Sequence, residues 1–587
     1  MAIKKNNVLG SQALLECLIA EGIDTLFGYP GGAIMPVYDA MYDYQDRLTH
    51  ILARHEQGAI HAAEAYARID RKTAVCIATS GPGATNLLTG LYDALLDSTP
   101  LVAITGQVFD SLLGSDAFQE SDIIGASAPL TKWNCQITDA EQIADVMRKA
   151  FYIANSGRPG PVLIDITKNA QVQLVESFEY RSNKEHPDVQ IRSYRPLPKI
   201  KPDVISAAAD LINNAKQPLI LAGHGVHVAG AQKNLQSFAE KTGIPVTTTF
   251  HGLSSMPAGH PLYVGLPGMH GNYGPNFLSN ESDVVIAIGM RFDDRVTGLL
   301  SEYLPDSKVI HIEIDKAEIN KNVPAAVAVH ADAKQALEAL MPLVDQKERP
   351  KWLARFRECD RKEKEAVIDG VLTPNEDGSL KMPQVMRKVS DKTDGGAVVV
   401  TDVGQHQMIG MRYYEFKTKD AWISSGGSGT MGFGLPAAFG AAYAEKQNAA
   451  KSGKPARPVI AVVGDGGFQM TIQELGMCSQ WEVPVKILLL DNNYLGMVRQ
   501  WQQLFFDNRY SQVGLTNPDF VKISEGFGVP AERVSTTANL NDAIDRFLAA
   551  ETPYLLHVDV VKEENVFPMV AAGKSVAEVS LVAEEKS

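Results

Sequence analysis

The sequence is poor in cysteine, in long apolar runs and in positive charge. Its five cysteines are scattered and form no C-x-x-C pair, which predicts reduced, packed thiols rather than disulfides or a zinc site. No apolar run reaches the ~18 residues that a membrane-spanning helix needs. The net charge is −14, and no basic stripe compensates for it. We therefore expect neither a membrane protein nor a nucleic-acid-binding protein.

The amino terminus carries no targeting signal. The opening residues MAIKKNNVLGS contain two lysines, but no apolar stretch follows them as it would in a secretory signal. They also lack the Arg- and Ser-rich character of an organelle transit peptide. The composition, 45% hydrophobic and 21% charged, is typical of an ordinary water-soluble protein. The sequence thus predicts a cytoplasmic location.

Strand-like and helix-like runs alternate in three blocks of the chain. At 587 residues, the chain is too long for one hydrophobic core. Short apolar strands separated by helices predict parallel βαβ units, so we expect three doubly wound parallel-sheet α/β domains. Their predicted bounds are 1–180, 195–345 and 375–570. A charged, proline-bearing linker is predicted over 181–200, and an exposed loop over 444–458.

Two turns of the third block carry metal-ligand chemistry. Gly464-Asp465-Gly466 ends the run PVIAVV, and Asp491-Asn492-Asn493 ends VPVKILLL after a helix predicted over 470–482. A right-handed βαβ crossover brings both turns to one edge of the sheet. Carboxylate and amide oxygens suit Mg²⁺, which takes its remaining ligands from backbone, water and phosphate. Two unrelated turns are the alternative.

The spacing of these turns resembles the fingerprint of thiamine diphosphate (ThDP) enzymes. That resemblance implies that Asp465, Asn492 and the backbone oxygen of Tyr494 hold Mg²⁺ against the diphosphate, which glycines let approach the backbone. The segments TDVGQHQM and SSGGSGTMGFGLPAA resemble the family's other cofactor loops. Met431 resembles the apolar pedestal under the cofactor, with core packing as its alternative. The implied cofactor-binding residues are Gly31, Gly32, Val403, Gly404, Gln405, His406, Gly429, Met431, Gly464, Gly466, Gly467, Asn492, Tyr494 and Met497.

ThDP chemistry also requires a glutamate far from the metal. It must hydrogen-bond the cofactor's pyrimidine ring, and a carboxyl in a low-dielectric pocket can keep the proton that this needs. RHEQGA, which contains Glu56, resembles the activating-glutamate segment of the ThDP decarboxylase-like enzymes, which have three α/β domains. An exposed helix glutamate is the alternative. In that family one subunit supplies the glutamate and another the diphosphate site, which implies at least a dimer.

Residues 8–575 resemble the catalytic subunit of acetohydroxyacid synthase (acetolactate synthase). The resemblance rests on segments such as FGYPGGAIMPVYDA, SGRPGPVLIDITK, MRFDDRVTG and NNYLGMVRQWQQLFF. It implies a transferase that decarboxylates pyruvate on ThDP and joins the hydroxyethyl carbanion to a second 2-keto acid. Pyruvate would give 2-acetolactate and 2-ketobutyrate would give 2-aceto-2-hydroxybutyrate, on the route to valine, leucine and isoleucine. Phe109-Asp110 departs from the family's proline-bearing turn and leaves the channel shape open.

Acceptor binding requires a cation and an apolar wall. Arg295 fits the substrate carboxylate, with an ion pair to Asp293 or Asp294 as its alternative. Met497 and Trp501 have helical i, i+4 spacing, so they share one face, where a ring would reward the extra methyl of 2-ketobutyrate. Ordinary core packing is the alternative. Phe118, Gln119 and Lys168 resemble residues that line the substrate channel. The predicted catalytic residues are Glu56, Gln119, Lys168 and Arg295, and the predicted substrate pocket contains Phe118, Met497 and Trp501.

The middle block carries a weaker signal. LILAGHGV is a strand that ends in a glycine turn but lacks the full G-x-G-x-x-G pattern. The acids of HIEID and of AVAVHAD follow strands, where they could bond a ribose. The resemblance implies FAD, with a structural role because the net reaction has no redox step. The implied FAD residues are Arg158, Gly223, Gly225, Met269, His270, Arg291, Glu313 and Asp332.

Other functions compete with this one. Pyruvate oxidase, glyoxylate carboligase and pyruvate decarboxylase belong to the same family, although glyoxylate carboligase lacks the acid at Glu56. A non-catalytic flavin-binding scaffold is a rival from another class, disfavoured by the intact Glu56, Asp465 and Asn492. The sequence leaves open a homodimer or a homotetramer. It also leaves open the small regulatory subunit that such enzymes often bind.

Overall fold

The computed structural model describes residues 3–183, 189 and 191–582. Residues 184–188 and 190 of the predicted linker, and the first two residues of the amino terminus, lie outside that part. The described chain forms three parallel sheets, each wound by helices on both faces, so the predicted fold class is confirmed. No helix among these residues is both long and apolar enough to cross a membrane.

The first domain is a six-stranded parallel sheet in the order β3-β2-β4-β5-β7-β6, with β1 and β8 paired antiparallel beside it. Its strands are β1 (Ile3–Leu9), β2 (Thr25–Gly28), β3 (Thr49–Leu52), β4 (Ala74–Ala78), β5 (Leu101–Gln107), β6 (Trp133–Ile137), β7 (Pro161–Thr167) and β8 (Leu174–Tyr180). Its helices are α1 (Gly10–Ala20), α2 (Met35–Met41), α3 (Glu56–Asp70), α4 (Pro82–Thr85), α5 (Leu88–Leu96), α6 (Ile123–Ser127), α7 (Ile143–Asn155) and α8 (Lys168–Val172).

The central domain is a five-stranded parallel sheet in the order β10-β9-β11-β12-β13. Its strands are β9 (Pro218–Ala222), β10 (Val246–Thr248), β11 (Val284–Ile288), β12 (Lys308–Glu313) and β13 (Val327–His330). Its helices are α9 (Pro202–Asn214), α10 (His224–Val228), α11 (Gln232–Thr242), α12 (Tyr273–Ser279), α13 (Asp294–Thr297) and α14 (Ala333–Leu340). A connector follows, made of α15 (Pro350–Glu363), a π-helical turn (Lys364–Ile368) and α16 (Asp369–Leu372).

The third domain repeats the winding of the first, because its strand order β15-β14-β16-β17-β19-β18 follows the same pattern. Its strands are β14 (Val398–Thr401), β15 (Trp422–Ser424), β16 (Val459–Gly464), β17 (Val485–Asp491), β18 (Ala531–Val534) and β19 (Tyr554–Asp559). Its helices are α17 (Met382–Lys392), α18 (Gln405–Tyr413), α19 (Gly434–Ser452), α20 (Asp465–Met470), α21 (Leu475–Trp481), α22 (Gly496–Phe505), α23 (Phe520–Gly526) and α24 (Thr537–Ala549). The short strands β20 (Met569–Val570) and β21 (Val579–Ser580) pair antiparallel at the end.

Two local predictions were wrong. The loop predicted over 444–458 is largely helix, since α19 continues to Ser452 and ends at Gly453, whose φ of +70° only glycine adopts readily. The single helix predicted over 470–482 is instead α20 and α21, separated at Thr471 by a 3₁₀ turn. α20 begins at Asp465, so the acid that the sequence predicts as a metal ligand lies in a first helical turn.

The first and third domains meet along α3 and α19, two buried helices rich in small residues. Gly440 lies so close to α3 that a β-carbon there would be 1.9 Å from the carbonyl oxygen of Ala62. Small residues permit this approach of two backbones, which fixes how the two sheets face each other.

Candidate active site

Each sheet reverses its winding direction at one point, and ligands of open α/β sheets bind at such points. In the third domain, that point lies between β14 and β16. The loop after β14 is shaped by the buried carboxylate of Asp402, which accepts backbone hydrogen bonds from Val403 (2.8 Å), Gly432 (3.0 Å) and Gly434 (2.8 Å). A β-carbon at Gly467 would be 2.2 Å from Asp402. The predicted cofactor loops are therefore brought together by one acid.

Asp465 and Asn492 lie at the ends of the neighbouring strands β16 and β17. Asn517 Nδ2 donates to Asp465 Oδ2 and to Asp491 Oδ1, at 2.8 Å each. Burial, with a smaller contribution from the nearby Asp491 carboxylate, raises the pKa of Asp465 to about 7. Two carboxylates this close in a buried place favour a divalent cation. The donor set thus fits Mg²⁺.

Hydrogen bonds also fix the side chain of Asn492. Its Oδ1 accepts the backbone N–H of Tyr494 at 3.1 Å, and its Nδ2 donates to Gln405 Oε1 at 3.3 Å. Gln405 Nε2 in turn donates to Gln500 Oε1 at 3.0 Å and to the carbonyl oxygen of Glu564. The amide of Asn492 is therefore fixed by a chain of hydrogen bonds that joins β17, α18 and α22.

The surrounding loops leave room for a cofactor. Gly429 has a φ of +68°, and a β-carbon there would meet nothing within 4 Å. His406 is buried, and its Nε2 has no hydrogen-bond partner among the described residues. Burial lowers the pKa of His406 to about 3, so its ring is neutral. The methyl end of Met431 lies 3.5 Å from where a β-carbon of Gly466 would stand, which fits an apolar support beside the diphosphate loop.

Glu56 lies at the winding point of the first domain, between β2 and β4. It is the first residue of α3, and its Oε2 accepts a hydrogen bond of 3.0 Å from Asn86 Nδ2. Its Oε1 is 3.3 Å from where a β-carbon of Gly83 would stand. A β-carbon at Gly31 would lie 2.5 Å from Thr79, whereas one at Gly32 would meet nothing. These loops hold the carboxylate beside open space.

The predicted channel residues share this part of the first domain. Gln119 has a φ of +62° and lies against Gly81, in the loop that carries Gly83. Phe118 is 87% exposed. Lys168 starts α8, with its Nζ 5.8 Å from the centre of the Phe109 ring. We call the surface formed by Gly32, Glu56, Phe118, Gln119 and Lys168 the glutamate face.

A cavity of about 610 Å³ lies where the three domains of the chain meet. Arg295, Met497 and Trp501 all line it, so the three predicted acceptor residues face one cavity. The cavity also reaches Val403 and Gly429 of the cofactor loops. Its lining includes neither Glu56 nor any other residue of the glutamate face in the described chain. One chain therefore presents the acceptor residues and the activating glutamate at separate places.

Arg295 keeps its guanidinium available. Its side chain is 61% exposed, and its Nε lies 3.8 Å from Asp294, which is a weak surface pair. Asp293 instead caps α13 by accepting the backbone N–H of Arg295 at 3.1 Å, and it pairs with Arg291 at 3.6 Å. The sequence left an ion pair with Asp293 or Asp294 as the alternative to substrate binding by Arg295. In the structure that ion pair is weak.

The predicted FAD residues fall into two groups. Arg158, Gly225, Met269, His270, Arg291 and Glu313 line the cavity. Burial raises the pKa of Glu313 to about 7. Gly223 is absent from the lining and is required by packing, because a β-carbon would be 2.3 Å from Gly289 O. Asp332 does not line the cavity either; it caps α14 by accepting the backbone N–H of Gln335 at 3.0 Å.

Three acids and amides of the site were not singled out in the sequence. They are Asp402, which shapes the loop after β14, Asn517, which joins Asp465 to Asp491, and Asp97. Asp97 lines the cavity and accepts the backbone N–H groups of Gly426 (3.0 Å) and Gly427 (2.7 Å). Asp402 follows a strand, which is a usable signal, whereas Asn517 and Asp97 act only through tertiary contacts.

Three family models match the chain in order. They are the N-terminal TPP binding domain of thiamine pyrophosphate enzymes (residues 9–126), their central domain (205–340) and their C-terminal TPP binding domain (402–558). Thiamine pyrophosphate is another name for ThDP. The fold, the site and these matches define a ThDP-dependent enzyme.

The similar proteins point to a narrower class of ThDP-dependent enzyme. Acetolactate synthase isozyme 2 large subunit of Escherichia coli (strain K12) is 43% identical over 97% of this chain and 99% of its own length. The probable acetolactate synthase large subunit of Methanocaldococcus jannaschii is 42% identical over 96% and 94%. That of Corynebacterium glutamicum is 41% identical over 97% and 90%. The chain belongs to the acetolactate synthase large-subunit family, as the sequence resemblance predicted.

Proposed function

We propose that this enzyme joins pyruvate to a second 2-keto acid, giving 2-acetolactate from pyruvate and 2-aceto-2-hydroxybutyrate from 2-ketobutyrate. The observation that carries the proposal is the cavity in which Arg295, Met497 and Trp501 open towards the cofactor loops. Arg295 binds the acceptor carboxylate. The thioether of Met497 and the indole of Trp501 pack against its alkyl group.

The residues at the third sheet hold the cofactor. Bound ThDP supplies the electron sink for decarboxylation and carbon–carbon bond formation. Asp465, Asn492 and the Tyr494 carbonyl hold Mg²⁺, and Gly464, Gly466 and Gly467 let the diphosphate approach the first turn of α20. His406, Met431 and Gly429 surround the space beside it and exclude water.

Glu56 holds a proton against the pyrimidine ring of a cofactor bound by a second copy of the chain. The separation of the glutamate face from the cavity supports this arrangement. Phe118, Gln119 and Lys168 then line the entry to the partner's site. The active unit is therefore a homodimer or a larger assembly of dimers.

We infer that FAD occupies the part of the cavity lined by its predicted binding residues. Arg158 and Arg291 supply cations for its diphosphate, and Glu313 lies at a strand end where it can bond a ribose. Gly225 and Met269–His270 would pack along it. The position of Asp332 at a helix cap makes that residue the least supported of the set.

The relatives are named large subunits, which supports a small regulatory partner for this chain as well. A homotetramer remains an alternative to the dimer. The cytoplasmic location and the domain bounds stay predictions of the sequence.

One assay tests the proposal. The purified enzyme is given pyruvate and 2-ketobutyrate together, with ThDP, Mg²⁺ and FAD each omitted in turn. We expect both acetohydroxy acids without oxygen uptake, and loss of both products without ThDP or Mg²⁺. Acetate with oxygen uptake would indicate a pyruvate oxidase, and acetaldehyde a pyruvate decarboxylase.

A further inference from the structure

A buried ion pair lies where the central domain, the connector and the third domain meet. It joins Arg412, in the last turn of α18, to Glu363, the last residue of α15. Their side chains are 1% and 4% exposed. A buried pair of charges is costly unless further hydrogen bonds satisfy it, so its partners show what it is for.

Both members hold one loop of the central domain. Arg412 Nη1 donates to the carbonyl oxygens of His270 and Gly271, at 3.0 Å each. Glu363 accepts the side-chain amide of Asn272 at 3.0 Å and the backbone N–H of Tyr273 at 2.6 Å. Hydrogen bonds from α15 and α18 therefore hold the four consecutive residues 270–273 in place.

That loop in turn fixes Arg295. The backbone N–H of Met269 donates to the carbonyl oxygen of Arg295 at 2.9 Å, and Arg295 Nη1 lies 3.5 Å from Met269 Sδ. Gly268, with a φ of +110°, packs so closely that a β-carbon would be 2.7 Å from the same carbonyl. Apart from the contact with Met269, the Arg295 side chain makes a loose surface pair with Asp294, so the loop that contains Met269 sets its position.

We propose that Arg412 and Glu363 are positioning residues for the acceptor keto acid. They connect α18, which starts in the cofactor loop, to the loop that places the Arg295 guanidinium. The pair thereby sets the distance between the cofactor and the acceptor carboxylate. This inference rests on the proposed function, because it assumes that Arg295 binds the acceptor.

The test is steady-state kinetics of Arg412→Gln with saturating pyruvate and varied 2-ketobutyrate. Misplacing a binding group by a fraction of an ångström costs on the order of 10-fold, so we expect KM for 2-ketobutyrate to rise by about that factor. The ThDP concentration for half-maximal binding, measured by tryptophan fluorescence, stays within about 2-fold because Asp465 and Asn492 are untouched. Arg387→Gln, which removes a more exposed ion pair of the same domain, is the matched control.

Two further variants separate positioning from general loss of structure. Arg412→Gln combined with Glu363→Gln restores neutrality and keeps amide donors and acceptors for the loop, so KM returns towards the wild-type value. Arg412→Lys, which keeps the charge but not the planar fork, gives an intermediate KM. An unchanged acceptor KM in Arg412→Gln overturns the inference. So does an equal loss of both products that the double variant does not repair. If the wild type forms neither product, the proposed function fails instead.

Discussion

At the scale of single residues, Glu56 combines a fixed carboxylate with access to a ligand. Asn86 holds one oxygen at 3.0 Å, and the open position at Gly32 leaves space in the neighbouring loop. Its place at the first residue of α3 fixes the backbone from which the side chain extends. The residue is therefore positioned before any cofactor binds.

Replacing Glu56 by Gln removes the proton-holding group and keeps the shape. We expect turnover to fall by about 100-fold or more, since general acid–base groups contribute at least that much. Unfolding temperature and Mg²⁺-dependent ThDP binding should stay close to wild type, as measured by calorimetry. Glu358→Gln, on the exposed face of the connector helix, is the control. A near-wild-type rate in Glu56→Gln would remove Glu56 from the chemistry.

Trp501 is expected to set acceptor preference. One methylene is worth about 1–3 kcal/mol, so Trp501→Leu should lower the ratio of 2-aceto-2-hydroxybutyrate to 2-acetolactate by about 10-fold while acetolactate formation continues. The ratio is measured in a mixed-substrate assay. Phe506→Leu, just beyond the same helix and 58% exposed, serves as the comparison. Equal ratios in the two variants and the wild type would place Trp501 outside the pocket.

The sequence predicted the site best where local topology determines it. Asp465 and Asn492 follow neighbouring strands of one βαβ unit, so their placement at one edge of the sheet is a consequence of the fold. Asp97 approaches the Gly426-Gly427 turn from another domain, more than three hundred residues earlier in the chain. Nothing near Asp97 in the sequence signals that contact. Residues that orient a site through tertiary contacts are thus harder to predict from sequence than the residues predicted to bind the metal.

At the scale of elements, helix lengths depended on packing. The segment 444–452 is polar and contains lysines, which predicted a loop, yet it extends a helix whose first half is buried against α3. Helix propagation costs little once a long packed stretch has formed. The break between α20 and α21 has a different cause. There the hydroxyl of Thr471 donates a hydrogen bond of 2.8 Å to the carbonyl oxygen of Gly432, which holds the chain out of the helix.

The α3–α19 contact predicts a sharp response to a single methyl group. In Gly440→Ala the new carbon would lie 1.9 Å from a backbone oxygen, and overpacking of this kind costs about 1–3 kcal/mol. We expect a lower midpoint of thermal unfolding and reduced activity. Gly526→Ala, where a β-carbon meets nothing within 4 Å, should leave both unchanged. Equal midpoints for the two variants would show that the helices can separate without cost.

At the scale of the whole molecule, the glutamate face and the cavity lie at separate places on one chain, although the proposed reaction needs both. Glu56→Gln and Asp465→Ala should each be nearly inactive alone. Mixed by co-expression, they should recover about a quarter of the wild-type activity per chain, because half of the dimers are hybrids with one complete site. Equal mixtures are assayed after separation of the dimer by gel filtration. No recovery would show that Glu56 serves its own chain.

If Glu56 acts on a cofactor held by a second copy of the chain, as proposed, catalysis becomes a property of assembly. A chain without its partner then has its cofactor loops but no activating acid within reach. Activity per molecule must then follow mass action, and it should fall on dilution below the dissociation constant of the dimer and return on concentration. The catalytic rate would report subunit association.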